Sequence, residues 1–228
     1  MAIRQQFQTE IESLRAGMVE MASVVLNQVE RSVAAWHAVD AEAARAVIDG
    51  DERVDERCAE LDQKIFNIQL LEAPVAGDQR LLHVGLIAVI ALERVGDLAV
   101  AIANLTLAQR ADGADPDVRA LIQRMSARAV DTLAVAVQAI ARGDVPLGER
   151  ATEQAAGVRR MLDEVLDAVA GSGDSASREW GGAAILVARH LERVANNGAE
   201  LGGRVRFLVT GEPFSRRAGT RSAETPSA

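Results

Sequence analysis

Residues 81–107 read LLHVGLIAVIALERVGDLAVAIANLTL, and this stretch decides the fold. Val84, Ala88, Ala91, Val95, Leu98 and Ile102 recur at steps of three and four, the period of an α-helix. Leu86, Val89, Ile90, Leu92, Ala99 and Val100 fill most of the remaining surface, so the helix is expected to be buried on nearly all sides. Into it the chain sets Glu93, Arg94 and Asp97. Glu93 and Asp97 stand four apart, where like charges cost a helix about 0.2–0.5 kcal/mol, and burial costs more unless a cation or donors compensate. Two adjacent carboxylates on a buried helix call for a partner.

The segment Leu92-Glu93-Arg94-Val95 returns ninety-nine positions later as Leu191-Glu192-Arg193-Val194, again in a long apolar helix. The chain therefore reads as a tandem duplication, and the remaining periodicities agree. Phe7, Ile11, Leu14, Met18, Met21, Val25, Val29 and Val33 mark a helix over 4–38. A second helix covers 40–71 with Asp40 as its N-cap, and Ala73-Pro74-Val75-Ala76-Gly77-Asp78 breaks it, with Asp78 expected to cap the third. Ala111 to Pro116 separates the halves. Helices then follow over Asp117–Arg142, Val145–Ala170 and about Arg178–Val209, with Gly171 to Ser175 as a loop. A shift of 104 sets Met21 on Met125, Val29 on Leu133, Val33 on Val137 and Asp40 on Asp144. The expected fold is all-α: two tandem antiparallel three-helix bundles, six helices in all, over 1–110 and 115–212. Residues 213–228, rich in Gly, Pro, Ser, Thr and Arg, are expected to form a disordered tail.

Abundant Ala, few aromatics and no Tyr favour helices over sheets. A formal net charge of -8 argues against nucleic acid as a partner, because phosphate binding needs a basic face. No apolar leader opens the chain, and the run Leu81–Leu92 is too short to cross a bilayer, so direct membrane insertion is not expected and the cytoplasm is the expected compartment. Cys58 has no second cysteine to pair with, and Lys64, the sole lysine, stands in a helix and not in a nucleotide-binding loop. His37, His83 and His190 lack the Glu-x-x-His spacing of a di-iron bundle. Trp36 and Trp180 are expected to pack near helix ends.

Asp51 and Asp55 repeat the four-residue spacing on the second helix. Antiparallel packing would set them face to face with Glu93 and Asp97, and four converging carboxylates make an oxygen cage suited to one or more divalent ions. The bland alternative leaves Asp51 and Asp55 on a solvated face and pairs Glu93 with an arginine. In the second half, Ala155 and Arg159 stand where Asp51 and Asp55 did, Glu192 keeps the place of Glu93, and Asn196 replaces Asp97. Arg159 is expected to do a cation's work there by neutralising Glu192, while Glu200, further along that face, leaves a second metal site open.

These residues resemble a family. Leu92-Glu93-Arg94-Val95-Gly96-Asp97 with Ala99 and Ile102, the turn Pro74-Val75-Ala76-Gly77-Asp78-Gln79-Arg80, and Ala188-Arg189-His190-Leu191-Glu192-Arg193-Val194-Ala195 are similar to the signatures of PhoU-type phosphate-signalling regulators, in order over about 4–212. The resemblance implies a non-enzymatic adaptor, a homodimer, that negatively regulates phosphate transport and two-component signalling by docking on a phosphate ABC transporter ATPase and a sensor histidine kinase. Several members of such a family hold a metal cluster in each bundle, and the resemblance carries over to this chain only the first. Asp51, Asp55, Glu93 and Asp97 match the first, for Fe, Zn, Mg or Mn without distinction. The second motif departs, with Asn196-Asn197 in place of Asp-His, and Ala101 stands where the first motif carries Asn. Two rivals stay open at this point: a carboxylate-ligated metal hydrolase or oxidase, and a metal-free helical scaffold.

Overall fold

The computed structural model describes residues 2–72, 74–108, 114–171 and 175–213, with side chains except at 2–4 and 175–178. Its helices are α1 (Ala2–Ala38), α2 (Ala41–Asp49), α3 (Glu52–Glu72), α4 (Gly77–Ala108), α5 (Pro116–Arg142), α6 (Val145–Ala170) and α7 (Ser175–Thr210), with no strand among the described residues. The expected linker, the loop after Gly171 and the tail fall mainly at 109–113, 172–174 and 214–228, outside the described residues.

Three features differ from the sequence reading. The second expected helix is broken into α2 and α3 at Gly50-Asp51. Asp51 N–H reaches back only to the Ile48 carbonyl, and the Asp51 carbonyl then accepts from Val54 and Asp55 to open α3. A glycine costs a helix about 1 kcal/mol, which makes it a natural place for the break. Asp78 is not a cap but lies in the first turn of α4, which begins at Gly77. Finally, α4 is not enclosed all round. His83, Ile90, Arg94 and Asp97 form an exposed stripe at steps of seven, four and three, and Glu93 is half-buried beside it.

Elsewhere aspartates set the helix starts, of which the Asp40 cap was expected. Asp40 caps α2 by accepting from the Glu42 and Ala43 amides, and Asp144 caps α6 by accepting from Leu147. Asp115 caps α5 with Pro116 just inside it, satisfying amides that a helix leaves unpaired.

Helices α1, α3 and α4, with α2, pack as one bundle and α5, α6 and α7 as another; α1 then lies along α5 and α4 along α7. Burial follows the duplication. Met18, Met21, Val25, Val29, Val33 and Trp36 are core residues, and so are Ile122, Met125, Ala129, Leu133, Val137 and Ile140, each 104 positions on. The exposed stripe of α4 recurs after 99 positions as Gly182, Arg189, Arg193 and Asn196. Even the turns match. Val39 (φ 55°) and Gly143 (φ 66°) both enter the left-handed region, and each is followed by an aspartate whose amide donates back into the helix, Asp40 to Ala35 at 3.0 Å and Asp144 to Ala139 at 2.9 Å.

The bundles differ in how closely the helices approach. A Cβ on Gly148 would lie 2.5 Å from the Gly202 carbonyl oxygen, so α6 and α7 cross backbone to backbone. The corresponding positions of the first bundle, Ala44 and Ala103, are buried alanines.

Candidate functional site: a carboxylate face in the first bundle and its altered copy

Asp51 opens α3 directly opposite Gly96 of α4. A Cβ on Gly96 would sit 3.0 Å from Asp51 Oδ1, 3.2 Å from Val54 Cγ1 and 3.6 Å from Gln28 Oε1. The glycine of the Glu-Arg-Val-Gly-Asp segment is therefore what lets the carboxylate approach α4. Oδ1 of Asp51 is buried with no hydrogen-bond partner, and so are both amide atoms of Gln28. An oxygen left in this state costs about 1–3 kcal/mol.

Burial raises the Asp51 pKa above the usual carboxylate range, and the negative charges of Asp55, Asp97 and Glu93 raise it further. Gln28 opposes them as a neutral donor, although its amide completes no well-aligned bond to Oδ1. Asp51 thus feels the charges of its neighbour Asp55 and of Asp97 and Glu93 on α4. Asp51 and Glu93 are half-buried, whereas Asp55 and Asp97 are exposed. Cys58, one turn along α3, points its Sγ at Glu93 Oε2 (3.6 Å). Burial first, and then Glu93, Asp62 and Asp55, push this thiol up to about 11, so it stays protonated and donates.

The donor set is all oxygen, the type a hard divalent ion takes, and the orphaned Asp51 oxygen and the mutual repulsion are what a cation would relieve. As the side chains stand, no three His, Cys, Asp or Glu groups among the described residues are placed to share one ion. The acids fit a cation by the chemistry of their oxygens.

The second bundle treats the same place differently. Glu192 is fully buried, and its Oε1 accepts from Asn196 Nδ2 at 2.8 Å. Arg189 Nη1 lies 3.1 Å from Oε2 and Arg159 Nη1 lies 3.7 Å from Oε1. The expected Arg159 contact is present. Arg189 was not foreseen, although its position one turn before Glu192 was a legible signal. Gln28 was also missed, seven residues after Met21 on a seam of otherwise apolar core positions. Glu200 is engaged by Arg204 at 2.8 Å.

Trp36 and Trp180 stack at 5.3 Å between centroids, where α1 ends and α7 begins, as packing residues. Lys64 is tied to Glu10 and Ser13 on α1.

The fold and the site define a tandem three-helix-bundle protein with a carboxylate face on its first copy. The PhoU domain matches residues 18–106, and similarity to whole PhoU proteins runs over most of the chain. It is 25% identical over 222 residues to the phosphate-specific transport system accessory protein PhoU of Escherichia coli, covering 94% of this chain and 89% of that one. It is 27% identical to the homologue from Pseudomonas putida, over 92% and 82% of the two chains. Among solved structures, PhoU from Pseudomonas aeruginosa superposes with a TM-score of 0.81 at 24% identity, covering 90% of this chain and 99% of that one. The phosphate transport system regulatory protein PhoU from Streptococcus pneumoniae gives 0.80 at 19%, over 90% and 98%. At those identities the structures speak for the fold, which is this one. No helix among the described residues is long and apolar enough to cross a membrane.

Proposed function

We propose that this chain is a cytoplasmic regulator of phosphate uptake and of the phosphate-starvation response. It acts as a homodimeric adaptor without catalytic activity, holding transport and two-component signalling off by docking on a phosphate ABC transporter ATPase and a sensor histidine kinase. The observation that carries this reading is likeness over 94% of the chain to a protein named for the phosphate-specific transport system. Residues 1–110 and 115–212 are the two copies on which the docking faces are built. Asp51, Asp55, Glu93 and Asp97 hold a divalent or iron-type ion, whose contribution is positive charge that relieves their repulsion.

The exposure of Asp55 and Asp97 favours a surface over a reaction chamber. A metal hydrolase or oxidase needs a water-filled cavity with an acid or base beside the ion. Of two hollows, one of about 500 Å³ lies around Glu10, Lys64 and Leu71, and the other, of about 240 Å³ around Glu20, Val24 and Arg57, reaches Val54 beside Asp51, with none of the four acids lining either.

The test is a strain lacking this protein, grown in high phosphate with a starvation-promoter reporter and a phosphate-uptake assay. The reading expects derepressed reporter and uptake, restored by the wild-type chain. Normal repression without the protein contradicts it.

A further inference from the structure

We infer that the second bundle carries its own cation: Arg159 and Arg189 close on Glu192 as a fixed, metal-independent lock between α6 and α7. The family resemblance carries over a metal cluster to the first bundle only, and the residues of the second do not fit one. Ala155 and Arg159 occupy the places of Asp51 and Asp55, and Asn196 that of Asp97. Glu192 is the sole carboxylate kept, and its side chain is 3% exposed while those of Arg159 and Arg189 are 71% and 57% exposed.

Each Glu192 oxygen is committed. Asn196 Nδ2 and Arg159 Nη1 approach Oε1, and Arg189 Nη1 approaches Oε2. An arriving ion would have to displace a guanidinium and sit beside another. The neighbouring substitutions fit a sealed site. Opposite Asp51, Gly96 leaves space; 99 positions on, Ala195 fills it, against Ala155 in place of the aspartate. Glu200, the remaining acid on that face, is held by Arg204. The guanidinium on α6 therefore does from within the chain what an ion would do between α3 and α4. Its partner on α7 brings a second guanidinium to the other Glu192 oxygen. The second bundle thus leaves no place for a divalent ion at Glu192.

This inference rests on the tandem fold and not on the first bundle binding metal, and its test uses no metal. Thermal unfolding in chelator is compared for the wild type, Arg159→Ala/Arg189→Ala, and the same pair with Glu192→Gln. Removing both guanidiniums strands a buried charge, so the double variant is expected to melt several degrees lower. Neutralising that charge is expected to restore most of the loss. Should the double variant not fold, the triple variant is still expected to fold. An unchanged melting temperature in the double variant overturns the inference. So does a loss that Glu192→Gln fails to restore, since the arginines would then act by packing rather than by charge.

Discussion

Arg15 Nη1 donates to the carbonyl oxygen of Ala141 at 2.6 Å, and this bond has a mirror. Arg119, 104 positions after Arg15, donates to the carbonyl of His37 at 2.8 Å, and Ala141 lies 104 positions after His37. Each bundle's first helix thus caps the last carbonyls of the other's, across the antiparallel α1–α5 contact. Arg80, in the first turn of α4, repeats the device on α7, with Nε donating to the Leu208 carbonyl at 3.0 Å. Guanidinium charge at a helix C-terminus is favourable for the carbonyls and for the dipole alike.

Arg15→Ala and Arg119→Ala are each expected to lower unfolding free energy by about 1–3 kcal/mol, the range for hydrogen bonds from charged donors. Because the two sites stand at opposite ends of α5, the losses are expected to add. Urea denaturation of the two single variants and the double reads this directly, through the midpoint at constant slope.

Val39→Gly is expected to stabilise. A β-branched residue at φ 55° holds its Cβ against the following carbonyl at a cost of roughly 1–2 kcal/mol, which glycine avoids while losing part of the gain to chain entropy. A net gain of about 1 kcal/mol is expected, and Gly143→Val, the reverse change in the second copy, is expected to destabilise. Both are measured by chemical denaturation.

Gly148→Ala is expected to force α6 from α7, because the new methyl meets the Gly202 backbone rather than a yielding side chain. Overpacking of this kind costs about 1–3 kcal/mol. The melting temperature of Gly148→Ala, beside that of the exposed control Gly182→Ala, checks it.

The pH response of the metal-free protein follows from Asp51. Its pKa is raised in the folded state by burial first and by Asp55, Asp97 and Glu93 next, so the fold favours the protonated form. Below the ordinary carboxylate pKa both states are protonated and the residue costs nothing; as pH rises through the folded value the penalty develops fully. Asp51→Asn is therefore expected to raise the melting temperature in chelator near pH 7 and to leave it unchanged near about pH 3. A gain that is equal at both pH values contradicts this.

Much of this architecture was legible before any coordinates. Buried seams declare themselves by period, and Asp40 and Asp144 declare themselves by position, because both signals are local. The break at Gly50-Asp51 was not legible: an apolar period continues across it, and the change lies in the hydrogen-bond register of Asp51. The exposed stripe of α4 was hidden for a related reason. Ile90 is apolar, yet it belongs to the outer row with Arg94 and Asp97, and only the placement of α3 and α7 reveals which row is outer. Of the site, the approach of Asp51 to Glu93 and Asp97 could be read from the spacing of the acids. That Gly96 makes room for Asp51, and that Gln28 approaches from α1, required the third dimension.

The central claim is that two copies of one fold have divided the handling of their acids, the first taking an ion and the second a guanidinium pair. The most direct measurement is metal content after equilibrium dialysis against Mn²⁺ or Zn²⁺, for the wild type, Glu93→Ala/Asp97→Ala and Glu192→Gln. Saturable binding that disappears in the first variant and is unchanged in the second is the result predicted. Binding that survives Glu93→Ala/Asp97→Ala, or a wild type that takes up neither ion, would contradict it.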